Sequence, residues 1–171
     1  PVVLDLMIHD IDILLSIVNS PVKSIRASGL SILTDSIDIA HARIRFYNGT
    51  VASIMSSRVA KDTVRKLKLF QRDLYASLDL LLGLTEIYKV VSEPDTSPDT
   101  LMNAPFNYAE NERFISYNKP QVSSIDALQK ELENYLNSIQ GKETPIVTGK
   151  AGKEALKVAI NIQQMILQDI H

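Results

Sequence analysis

Asp5, His9 and Asp12 stand four and three residues apart in the run Asp5-Leu6-Met7-Ile8-His9-Asp10-Ile11-Asp12. On a helix of 3.6 residues per turn all three fall within about 60° of one another. An imidazole with a carboxylate one turn away suits proton transfer near neutral pH, because the carboxylate can orient and tune the ring. Two plainer readings stand beside this one. The pair could satisfy a buried helix end, or the set could hold a metal, although one imidazole without a thiol does not make a closed zinc site. The rest of the segment, including Leu6, Ile8, Ile11, Ile13, Leu15, Ile17 and Val18, is apolar. A helix this apolar is expected to be packed on most sides, so the Asp/His stripe must face a partner, cleft water or a ligand.

The composition narrows the chemistry. The 171 residues are 45% hydrophobic and 22% charged, enough for one globular domain with a real core. The net charge of −2 is spread along the chain without a basic, aromatic-studded stripe, so nucleic acid is not an expected partner. There are no cysteines, which removes disulfides, thiolate metal sites and cysteine nucleophiles. That suits a reducing, cytoplasmic location. The first helix carries three carboxylates, Asp5, Asp10 and Asp12, which argues against both a membrane span and a signal peptide. The chain opens at Pro1, without methionine, and enters an apolar run at once, as a piece cut from a larger protein would.

Several elements must position these groups. The first helix should stop at Asn19-Ser20-Pro21. A strand is expected over 22–33, with Ile25, Ala27 and Leu30 as its apolar positions, then a turn at Thr34-Asp35-Ser36. Residues 38–47 alternate, Ala40, Ala42, Ile44 and Phe46 against His41, Arg43, Arg45 and Tyr47. Asn48-Gly49 predicts a hairpin to a returning strand ending near Arg58. Further strands are expected over 65–71, 74–82, 85–91 and 114–117, with 92–105 an exposed proline-bearing loop. Two helices close the chain. The first runs to Ile139, capped by Ser123 or Ser124, and the second starts at Thr148-Gly149 with the face Ala151, Ala155, Val158, Ala159, Ile162, Met165 and Ile166. The pattern predicts an α+β fold, an open and mostly antiparallel β-sheet with helices on one face, in one domain over 1–171.

These residues resemble the C-terminal domain of the glucose–fructose oxidoreductase / inositol dehydrogenase / rhizopine catabolism (Gfo/Idh/MocA) family. Asp5–Asp12 is similar to the family's D-x-G-x-H-x-x-D helix, with Met7 where glycine is frequent. Phe46-Tyr47-Asn48-Gly49-Thr50-Val51 followed by Ser57-Arg58 is a second block, and Gln140–Gly149 between the closing helices a third. The resemblance implies an NAD(P)-dependent oxidoreductase whose N-terminal Rossmann domain, and lysine, lie outside this chain. With six glycines and no G-x-G-x-x-G, the chain alone is expected to bind no NAD or NADP. By the same resemblance His9 and Asp5 are catalytic, and Asp12 and Arg58 are substrate-side, acting on a sugar, nucleotide-sugar or cyclitol hydroxyl. Asp12 could instead bond a neighbouring loop, and Arg58 could simply pair with an acid. No metal site is expected.

Two other readings stay open, a non-catalytic module that oligomerises through its sheet and an NAD-dependent glycoside hydrolase on the same scaffold. A homo-oligomer through the sheet face is implied in either case. Ile39, Tyr47, Val51 and Met55 lie outward there beside His41, Arg43 and Arg45.

Overall fold

The computed structural model describes residues 2–108, 111–121 and 126–170, with the backbone alone at Tyr108 and Asn111. The chain divides into two compact units, residues 1–61 with 133–171, and residues 62–132. The fold is α+β as expected, but its strands form two antiparallel sheets, not one.

In the first unit, a π-helical turn at Val3–Met7 runs directly into helix α1 (Ile8–Ile17). Strands β1 (Val22–Leu30), β2 (Ile39–Phe46) and β3 (Val51–Ser57) lie side by side in that order. The hairpin is where Asn48-Gly49 predicted it: Arg45 faces Val51 across the turn, and Gly49 takes a φ of 91°. The alternation of β2 is also as read, with Ala40, Ala42, Ile44 and Phe46 buried. Helix α3 (Gly149–Ile170) brings Ala155, Val158, Ala159, Ile162 and Ile166 into the same core, which Val3, Met7 and Ile11 complete.

Two expectations for this unit change. Helix α1 is not packed on most sides, since Ile11 is its one buried residue and Ile17 is exposed, as is Leu6 in the π-turn before it. Its apolarity serves a single core face here. Strand β1 stops at Leu30 because the following residues wrap around a carboxylate. Asp38, almost wholly buried, accepts the backbone N–H groups of Ile32 (2.8 Å), Leu33 (2.7 Å) and Thr34 (3.0 Å) on Oδ2. The Thr34 hydroxyl donates to its Oδ1 at 2.9 Å. These backbone donors hold the Asp38 carboxyl far below the usual carboxylate range.

In the second unit, β4 (Lys66–Gln71), β5 (Leu74–Asp79), β6 (Leu84–Val91), β7 (Thr100–Tyr108) and β8 (Asn111–Asn118) are ordered β4-β5-β6-β8-β7. The expected loop over 92–105 is therefore shorter, since its second half is strand. Pro105 is tolerated because β7 is an edge strand, where a missing N–H leaves no ladder partner wanting. Strand β8 is likewise longer than the apolar run 114–117. Phe70, Tyr75, Tyr88 and Tyr117 stack across four strands, with ring centroids 4.9, 5.7 and 4.8 Å apart. The remaining loop is pinned by Asp95, whose carboxylate accepts from Ser97, from Ser116 Oγ (3.2 Å) and from Asn118 Nδ2 (3.1 Å).

Helix α2 (Ala127–Ile139) begins at Asp126, whose Oδ1 accepts the Gln129 N–H at 3.1 Å. Ser123 and Ser124, read as its cap, lie outside the described residues. It ends as read, at Gly141 with a φ of 69°, where the Lys142 and Gly141 N–H groups return to the carbonyls of Asn137 and Ser138. Its apolar stripe, Leu128, Leu132, Tyr135, Leu136 and Ile139, is exposed.

Two measurements test this reading of the first unit. A Cβ on Gly29 would lie 2.6 Å from Ile166 Cγ2 and 2.9 Å from the Ile39 carbonyl oxygen. Gly29→Ala should therefore cost about 1–3 kcal/mol in urea unfolding, an overpacking penalty. Asp38→Asn tests the loop anchor. Because its folded pKa is depressed, Asp38 contributes stability present above its unfolded pKa and lost as pH falls toward the folded one. The variant should be less stable at neutral pH, and its stability should fall less steeply than the parent's below about pH 4. Parallel acid-unfolding curves would contradict this.

Candidate functional site

The π-helical turn opens the site. Within it the Ile8 N–H reaches the Val3 carbonyl, and Val3 and Met7 are both fully buried. Asp5 lies between them on the opposite side and is exposed, and His9, one turn on, is exposed as well. Among the described residues, no hydrogen bond or ion pair engages the side chains of Asp5, His9, Asp12 or Arg58. No cluster of metal-ligating side chains occurs among the described residues either.

Arg58 follows β3 and is exposed. Its N–H donates to the Asp38 carbonyl at 2.9 Å, while the Val2 N–H approaches the neighbouring Ile37 carbonyl at 3.4 Å. These two bonds bring the turn bearing Asp5 and the end of β3 bearing Arg58 to the same end of the three-stranded sheet. Ser56, two residues before Arg58, has a buried hydroxyl that finds no partner among the described residues.

Asp12 goes elsewhere. It is half-buried and lines a cavity of about 870 Å³ walled by α1, β1 and α3, a cavity that neither Asp5 nor His9 touches. The other polar groups of this cavity include Lys23, Lys150, Lys157 and Glu154. These lysines do not stand out as a group in the sequence, because β1 and α3 are far apart along the chain. One signal was legible: Lys150 and then Lys153 open a helix whose first turn has no acid. The Arg58 and Val2 backbone bonds keep Asp5 and Arg58 at one end of the sheet, with His9 one turn on from Asp5, while Asp12 lines a recess that neither Asp5 nor His9 touches.

The comparisons with known proteins follow the same helix and hairpin. Residues 2–70 match the GFO/IDH/MocA C-terminal domain. This match spans the π-turn, α1 and strands β1 to β3. It is 31% identical over 162 residues to UDP-N-acetylglucosamine 3-dehydrogenase of Acidithiobacillus ferrooxidans, covering 95% of this chain and 47% of that protein. A solved structure of that enzyme, GnnA, superposes with a TM-score of 0.77 at 29% identity, covering 96% of this chain and 46% of the other. The WlbA dehydrogenase of Bordetella pertussis, solved with NADH and UDP-GlcNAcA, shares the fold. Its TM-score is 0.55 at 16% identity, over 95% of this chain and 41% of that one. The chain spans about half the length of the relatives it matches. No described helix is long and apolar enough to cross a membrane.

Proposed function

We propose that this chain is the substrate-side domain of a cytoplasmic NAD(P)-dependent oxidoreductase that oxidises a sugar hydroxyl, most simply that of a nucleotide sugar. The observation that carries this reading is the exposed Asp5/His9 pair on the π-turn and α1, in a chain aligned over 95% of its length with a nucleotide-sugar dehydrogenase. The cofactor site is assigned to an N-terminal nucleotide-binding domain. None of the six glycines here stands at a strand-to-helix turn that could cradle a pyrophosphate.

The nicotinamide, when bound, supplies the acceptor for a hydride from the carbinol carbon. His9 takes the proton of the same hydroxyl on its unprotonated ring nitrogen, so that the C–H and O–H bonds are exchanged for a carbonyl. Its exposure leaves that nitrogen open to a substrate. Asp5, one turn earlier, either holds the imidazole or accepts a substrate hydroxyl. Arg58 lies at the same end of the sheet and is suited to an anionic part of the substrate. Asp12, one turn on from His9, is assigned a supporting role on the substrate side.

The test is turnover by the intact protein against a panel of nucleotide sugars, sugars and cyclitols, with NAD and with NADP, followed as reduced nicotinamide. His9→Ala should lower kcat by about 10²–10⁴, as loss of a positioned base does, with an unchanged unfolding transition. Asp5→Asn should lower kcat as well. Near-normal turnover by His9→Ala would refute the assignment, and a hydrolysed product without net reduction would favour the glycoside hydrolase.

The outward face of the three-stranded sheet is assigned to a second copy of the chain. Tyr47, Val51 and Met55 are exposed there beside the outward His41, Arg43 and Arg45. A two-fold contact would use this mixed apolar and basic patch twice. Met55→Glu should then shift sedimentation from dimer to monomer at micromolar concentration, and a monomeric parent chain would exclude the contact.

A further inference from the structure

We propose that the cavity between α1, β1 and α3 is a second small-molecule site, separate from the His9 surface, that takes the diphosphate group of a small organic ligand. Its volume of about 870 Å³ lies within the range of ordinary ligand pockets, roughly 300–1,000 Å³. Three lysines line it, Lys23, Lys150 and Lys157, against two carboxylates, Asp12 and Glu154. The charges are not balanced among themselves. Lys157 lies 3.9 Å from Glu154 in an exposed pair, and Lys23 leans over the Tyr47 ring at 5.9 Å. Lys150 has no ion-pair partner among the described residues.

Lys150 is also electrostatically misplaced for stability. It stands in the first turn of α3, where the peptide dipoles oppose a cation and no acid compensates. Lys150, like the exposed Lys23 and Lys157, stands on the lining of this recess, and an anion seated there accounts for three cations in one place. Three cations in one recess suit two phosphates better than one. The apolar floor, which includes Val22, Ile25, Val158 and Met165, gives the organic part a surface to lie on.

The site does not depend on the dehydrogenase reading. An active dehydrogenase with a silent cavity, or the converse, would tell the two apart. The test is calorimetric titration of the chain with inorganic pyrophosphate and with ADP at fixed ionic strength, with sulfate as competitor. Saturable binding is expected, and Lys150→Glu should weaken it about tenfold or more, the loss of a charge-assisted contact. The same substitution removes the clash with the helix dipole, so its thermal midpoint should hold or rise. That keeps a binding loss from being misread as unfolding. Lys153→Glu, close by on the same helix but outside the cavity, should bind within about twofold of the parent if the contact is local. Tighter binding of ADP than of pyrophosphate would identify an ester as the ligand, and equal binding the free diphosphate. Absence of saturable heat would overturn the proposal. So would equal weakening by both substitutions or equal competition by sulfate, since either means an adventitious ion only.

Discussion

The close seating of α3 on β1 is the constraint from which the first unit follows. At Gly29 the missing side chain lets Ile166 come down almost onto the strand backbone, with Ile37 closing the third side. A helix that near a sheet can present only small or well-aligned side chains, and Ala155 and Ala159 supply them. Beside α3 the core is completed by one fully buried stripe of the neighbouring element, Val3, Met7 and Ile11. The α1 segment has one inward face, which Leu4, Ile8, Leu14 and Leu15 widen as partly buried neighbours of that stripe.

The π-turn makes that arrangement possible. Residues four apart on an α-helix drift by about 40°, so three successive positions at this spacing spread over about 80° of its face. Widening the first turn absorbs the drift and keeps Val3 and Met7 on the core side with Ile11. The price of this regularity is a turn with looser backbone bonding, and Asp5 is the polar residue it carries outward. Such insertions into helices recur at functional sites.

The carboxylates divide into two kinds by the same logic. Asp38 and Asp95 are saturated with donors, organise loops and are held well below the ordinary carboxylate range. Each is the local centre of a segment that would otherwise have unsatisfied backbone. Asp5 and His9 are the reverse, exposed and without partners among the described residues. Groups used up in hydrogen bonds hold the fold, and groups left open are available to a ligand.

Local pattern alone determined much of this protein. The alternation of β2, the Asn48-Gly49 hairpin, the end of α2 at Gly141 and the buried face of α3 all depend on neighbours along the chain. So does the placing of Asp5 and His9 on successive turns, which needs only helical spacing. Tertiary structure decided what depends on distant partners. Pro105 reads as a breaker until β7 is seen to be an edge, and Asp38 reads as a strand residue until the backbone of 32–34 folds over it. The apolar run of α1 cannot announce that only one of its faces meets a core. Nor can spacing show that Asp12 lines a recess whose lysines come from β1 and α3. Periodicity reports which side chains share a face, and only packing decides what that face meets.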